Sequence, residues 1–145
     1  MLASRWAEFL KLHGLLLSIG GYETCFPYVE EDMANILARG RYYGGFSKMM
    51  KGKPSRCHEN ACNLWTVNKD KHDVHIATGY ALSADGMWRQ HSWLVQRYQT
   101  ATQHRTRIIE TTEKRVAYFG YEMGNEFDPE LGMSEAEEFC YWNYL

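Results

Sequence analysis

Residues able to do thiol and acid–base chemistry gather in "SRCHENACNLW" at 55–65, where a cysteine, a histidine and a glutamate follow one another at an apparent helix start. Ser55 can cap that helix, with Pro54 before it, which puts Cys57 in the first turn. There the unpaired backbone N–H groups and the positive end of the helix dipole favour a thiolate. A thiol so placed ionises more easily than free cysteine, whose pKa is about 8.5. Arg56 pushes the same way. Cys25, Cys62 and Cys140 fit the commoner role of cysteine as a small packed hydrophobe.

A nucleophilic thiol needs a base, and the base needs an acceptor to orient it. His13 fits packing on a helix face, and His72, His75 and His104 lie in or beside polar stretches. His58 adjoins Cys57, but consecutive helical residues point about 100° apart. His91 differs, sitting within the alternating segment "RQHSWLV" on one face with Arg89, Trp93 and Val95. If strands 87–98 and 106–112 form a hairpin centred between 100 and 101, paired numbers sum to 201 and His91 faces Glu110. Opposed side chains have Cβ atoms about 4.5–5.5 Å apart, so register alone would make a histidine–carboxylate pair. A one-residue slip would break it. The oxyanion of an acyl intermediate would use the Cys57 N–H, with Asn60 or Gln90 as the second donor. Trp93 joins them as a candidate substrate-binding residue.

These segments resemble the papain-like and transglutaminase-like superfamily, in which H-x-W is followed by a "D-P-T"-like stretch. "C-H-x-N-A" at 57–61, "TGYAL", "HSWLV", "IIETT" and "YFG" also resemble a group of uncharacterised bacterial and phage proteins with this layout, over residues 54–122. The resemblance implies Cys57 as nucleophile, His91 as base and Glu110 as the orienting residue. It implies a cysteine hydrolase or acyltransferase. Here the third member is Glu where Asp or Asn is commoner, and Thr111 replaces the proline of the pattern. Either carboxylate can hold the imidazole tautomer.

The elements that must position these residues follow from periodicity. Leu2, Trp6, Phe9, Leu10, His13, Leu16 and Leu17 predict a helix over 2–18, and "VEEDMANILAR" a second over 29–39 closed by Gly40. Residues 40–56, rich in glycine and lysine, read as a mobile loop at the entrance to a site. From residue 75 the period is two. Strands at 75–82 and 87–98 flank Asp85-Gly86, a strong hairpin signal, and strands at 106–112 and 115–123 follow. Ser134 caps a last helix over 134–145, with Phe139, Tyr141, Trp142 and Leu145 for packing. Helices first and an antiparallel sheet after them make an α+β fold, and the resemblance implies a papain-like or transglutaminase-like core within it. One domain is expected over 1–145, its helical part at 1–40 and its catalytic core at 54–123.

A protein of 145 residues can bury a core without staples, and four cysteines are too few for a disulfide scaffold. Net charge is −2, so no basic field points to nucleic acid, although "KMMKGKPSR" at 48–56 is locally basic. "LLLSIGG" is too short to span a bilayer and makes a poor signal peptide, so a cytoplasmic protein is expected. Cys57, His58 and Cys62 fit zinc spacing poorly, and no cofactor is called for. The reading is thiol-dependent acyl transfer on a peptide or protein amide, by hydrolysis, deamidation or transamidation. The alternative is a non-catalytic protein-binding module, such as an inhibitor or effector, presenting Tyr42, Tyr43 and Phe46 in a contact loop.

Overall fold

The structure, a computed structural model, describes residues 2–27, 29–44 and 47–144. Phe46, Leu145 and the side chain of Leu2 lie outside the described residues. The fold is α+β, with four helices and a mixed sheet among the described residues. The protein divides into two compact units, residues 1–44, 79–90 and 115–121 in the first and 45–78, 91–114 and 122–145 in the second.

The first unit holds helix α1 (Leu2–Ile19), strand β1 (Glu23–Cys25), helix α2 (Met33–Arg39) and strand β2 (Arg41–Tyr43). Leu12 and Leu16 of α1 are fully buried, whereas Trp6 and Leu10, placed on the inner stripe by the sequence pattern, are exposed. The helix expected from residue 29 starts only at Met33. Tyr42 and Tyr43 belong to a strand rather than a loop, and Tyr43 is buried. β2 pairs antiparallel with β7 (Ala117–Glu122), and β1 runs parallel to the start of β5 (Met87–Gln99), with Thr24 opposite Trp88. Strand β4 (Asp73–Leu82) ends here beside β7. At Gly79 a Cβ would meet the Phe119 carbonyl oxygen at 2.3 Å, so only glycine allows that approach. The β4–β5 turn forms at Asp85-Gly86 as expected, with Gly86 at φ 85 and its N–H donating to the Ser83 carbonyl.

The second unit contains β3 (Ser47–Met49), helix α3 (Cys57–Asn68), β6 (His104–Glu110), the small β8 (Phe127–Asp128) and β9 (Met133–Ser134) hairpin, and α4 (Glu135–Tyr144). Its strands follow the order β4-β5-β6-β3. β3 is parallel to β6, as β1 is to β5, so the expected antiparallel sheet is in fact mixed. Parallel pairing arises because short extended segments from residues 23–49 add to edges that a hairpin-only reading leaves open. The stretch read as a mobile loop is therefore partly sheet. Beyond β3, Met50 N–H and Gly52 N–H continue the bonding by donating to the carbonyls of Glu110 and Thr111. α4 begins with a reciprocal cap. Glu137 N–H donates to Ser134 Oγ at 3.0 Å, and Ser134 N–H donates to Glu137 Oε1 at 3.2 Å.

The β5–β6 register differs from the predicted one by two. Leu94 pairs with Ile109 and Gln99 with His104, so paired numbers sum to 203 rather than 201. The cause is the turn: Thr100 N–H donates to the Gln103 carbonyl, which closes a loop over 100–103 one residue later than assumed. A shift of two preserves the face of every side chain. His91 and Glu110 therefore stay on one face, as diagonal rather than opposed neighbours.

Candidate active site

Cys57, His91 and Glu110 all lie in the second unit, and the structure brings them together. His91 Nε2 lies 2.8 Å from Glu110 Oε1, a reach that long side chains span on the diagonal. A carboxylate only accepts, so Nε2 carries the proton in this contact and Nδ1 is the nitrogen left for the thiol. The His91 ring acts directly on the Cys57 thiol, through hydrogen-bonding attraction and charge that favour the thiolate. His91 and Glu110 are almost wholly buried, while Cys57 is partly exposed, so the site opens to solvent at its sulfur end.

Glu110 is held on its far side as well. Its Oε2 accepts from Thr111 N–H at 2.9 Å, Thr112 N–H at 3.0 Å and Thr112 Oγ1 at 3.1 Å. These donors come from the turn directly after β6, which explains how a threonine pair follows the carboxylate. Trp93 stacks on the imidazole, its ring centroid 6.1 Å from that of His91 at 21°. It is fully buried.

The electrostatics favour an ion pair. Burial pushes the Cys57 thiol up, but the His91 hydrogen bond and charge, then the backbone N–H groups of Ser92 and His58, outweigh it and bring it below the ordinary range. Burial alone would lower His91. Hydrogen bonds to Cys57 and Glu110, with their charges, raise it instead. Both directions support thiolate and imidazolium together.

The helix start that carries Cys57 differs from the expected one. Ser55 is not the cap: it adopts φ 60, in the left-handed region, and the N-cap is Arg56, which makes no side-chain cap. Asn60, expected as an oxyanion donor, is committed elsewhere. Its Oδ1 accepts from Lys53 N–H at 3.0 Å and its Nδ2 donates to the Lys53 carbonyl at 2.8 Å. A Cβ at Gly52 would sit 2.5 Å from that amide, so glycine lets the strap approach. Residues 50–53 thus bind Glu110 and Thr111 on one side and α3 on the other. Gln90, the other candidate donor, belongs to the first unit. There its Nε2 donates to Glu30, which also accepts from Tyr80 Oη at 2.7 Å.

His58 matters in a way its position beside Cys57 concealed. Its Nδ1 lies 2.6 Å from Ser92 Oγ. Ser92 donates to Thr78 Oγ1 at 2.9 Å, and Thr78 donates to the His91 carbonyl at 3.4 Å. That direction of donation makes Ser92 Oγ the acceptor and His58 Nδ1 the protonated nitrogen. The signal was present in the sequence as two hydroxyl residues within otherwise buried strands.

The other thiols sit apart from this chemistry. Cys25 is exposed, and Cys62 is buried against Cys140, whose hydrogen bond raises it, with burial adding to the effect. Among the described residues no group of three or more His, Cys, Asp or Glu could hold a metal ion. No described helix is long and apolar enough to cross a membrane. Comparison with protein families, with curated proteins and with solved structures finds no match.

Proposed function

We propose that the protein is a thiol-dependent acyl-transfer enzyme acting on a peptide or protein amide, with a papain-like or transglutaminase-like catalytic core. The observation that carries the reading is the buried His91–Glu110 hydrogen bond, with a Cys57 thiol whose titration His91 lowers. The Cys57 thiolate attacks the amide carbonyl, and the developing oxyanion takes a hydrogen bond from the Cys57 N–H at the uncapped helix start. The His91 imidazolium gives its Nδ1 proton to the departing nitrogen, which leaves a thioester on Cys57 and a neutral ring. His91 then takes a proton from water, or from a second amine, as that nucleophile attacks the thioester and frees the thiolate. Water yields hydrolysis or deamidation; an amine yields transamidation. Glu110 stays ionised throughout and stabilises the imidazolium.

The test is peptide-resolved alkylation of the native protein with iodoacetamide at neutral pH, beside C57A and H91A. The expected result is labelling of Cys57 well ahead of exposed Cys25. Labelling of Cys57 no faster than Cys25 rejects the reading. In parallel, a glutamine peptide with hydroxylamine should give a hydroxamate that both variants fail to form.

A further inference from the structure

A cavity of about 280 Å³ opens in the second unit among α3, β3, β5 and β6. Register explains its lining. Lys48 pairs with Ile109 and Ile109 with Leu94, so these three form a row across three strands. Gln96 and Arg107 pair with each other two residues along, and hence on the same face. Leu64 of α3 closes the apolar side. Among the described residues no Asp or Glu lines the space.

Arg107 is held ready rather than satisfied. Its Nε donates to Gln96 Oε1 at 2.8 Å, and its guanidinium lies 4.8 Å over the Tyr98 ring. Those contacts use Nε and the flat face and leave both Nη groups. Among the described residues no carboxylate pairs with Arg107 or Lys48. With its oxygen taken, the Gln96 amide offers its NH2. The polar groups that the strands supply are thus donors, two of them cationic, beside an apolar floor, with Asn68 and His72 at the border next to α3. A planar guanidinium fork fits a carboxylate through two parallel hydrogen bonds.

We propose that this cavity binds a small organic acid, its carboxylate on Arg107, Lys48 and the Gln96 amide and its apolar group on Leu64, Leu94 and Ile109. The volume, at the small end of ligand pockets, fits one amino-acid-sized group. The acid could be free or the last residue of a peptide, and the head-group chemistry is the same for both. The inference stands independently of the Cys57 chemistry, because its readout is binding.

The experiment is calorimetric titration of the whole protein with N-acetylphenylalanine, N-acetylphenylalaninamide and acetyl-Ala-Ala-Phe. A ligand of this size is expected to bind with a Kd of about 1 mM or tighter. The uncharged amide should not saturate. K48Q and R107Q, whose thermal unfolding is checked beside the parent, should each weaken binding about 10-fold. A peptide that binds more tightly than N-acetylphenylalanine assigns the site to the carboxyl-terminal residues of peptides, and one that binds no more tightly assigns it to free acids. Failure of N-acetylphenylalanine to saturate at about 10 mM, equal binding of the amide, or indifference to both substitutions overturns the proposal.

Discussion

Glu110→Gln is the substitution whose outcome the geometry determines most closely. The two carboxylate oxygens face opposite demands. Oε1 accepts from His91 Nε2, and Oε2 accepts from two backbone N–H groups and a hydroxyl. A glutamine has one oxygen for both. If that oxygen turns to His91, its NH2 points at Thr111 N–H and Thr112 N–H, and leaving two buried donors unpaired costs about 2–6 kcal/mol. If the oxygen turns to the threonine turn, its NH2 faces His91, which must then accept at Nε2. The second arrangement is favoured, and it moves the ring proton to Nδ1, beside the sulfur. The imidazole is then neutral and can no longer accept from the thiol. Replacing an ionic hydrogen bond (about 1.5–3 kcal/mol) by a neutral one (about 0.5–1.5 kcal/mol) costs the thiolate about 1–2 kcal/mol, or roughly 5- to 30-fold in its population. Peptide-resolved alkylation of Cys57 at neutral pH should slow by that factor, and acyl transfer should fall further for want of a base. Nitrogen NMR of the ring should report the Nδ1–H tautomer. An unchanged alkylation rate with the proton still on Nε2 would refute the account of how Glu110 acts.

Three further outcomes follow from the same geometry. Because the Cys57 titration is lowered, its alkylation in the parent protein persists below the ordinary thiol range and is lost only as pH falls through the folded value. H91A leaves burial as the main influence, so the inflection should move to higher pH; a profile that stays put shows that His91 does not stabilise the thiolate. N60A removes two hydrogen bonds between α3 and the 52–53 strap and should cost about 1–3 kcal/mol in urea unfolding, and an unchanged midpoint would show the amide is dispensable. S134A opens the reciprocal cap of α4 and should cost about 1 kcal/mol, and measured stability equal to the parent would place the helix start elsewhere.

Much of the fold was legible where local pattern and tertiary need agree. β4, β5 and the Asp85-Gly86 turn announce themselves by alternation and by turn chemistry that only a few residues permit. β1, β2 and β3 are three residues each, too short for a period to show, and they exist because an edge of longer strands was available to them. The histidine–carboxylate pair survived a wrong register because parity, not exact opposition, decides the face. The partners of Asn60 and Gln90 were not legible for one reason: a side-chain amide carries no local sign of where its hydrogen bonds go. Lys53 and Glu30, which take them, lie seven and sixty residues away along the sequence.

The misread cap at Ser55 bears directly on the chemistry. A capping side chain would accept from the N–H of the second or third helical residue, here His58 or Glu59. At Arg56 no side chain does so, and the His58 N–H instead helps to lower the Cys57 thiol. The left-handed Ser55, which costs about 1–2 kcal/mol in a non-glycine residue, turns the backbone so that the helix begins without its usual acceptor. A conventional cap would steady α3 by a comparable amount while competing for the donors that hold the thiolate. Backbone strain and an omitted cap at the residue before a cysteine are therefore two parts of one arrangement, in which local stability is given up where the sulfur needs the helix end for itself.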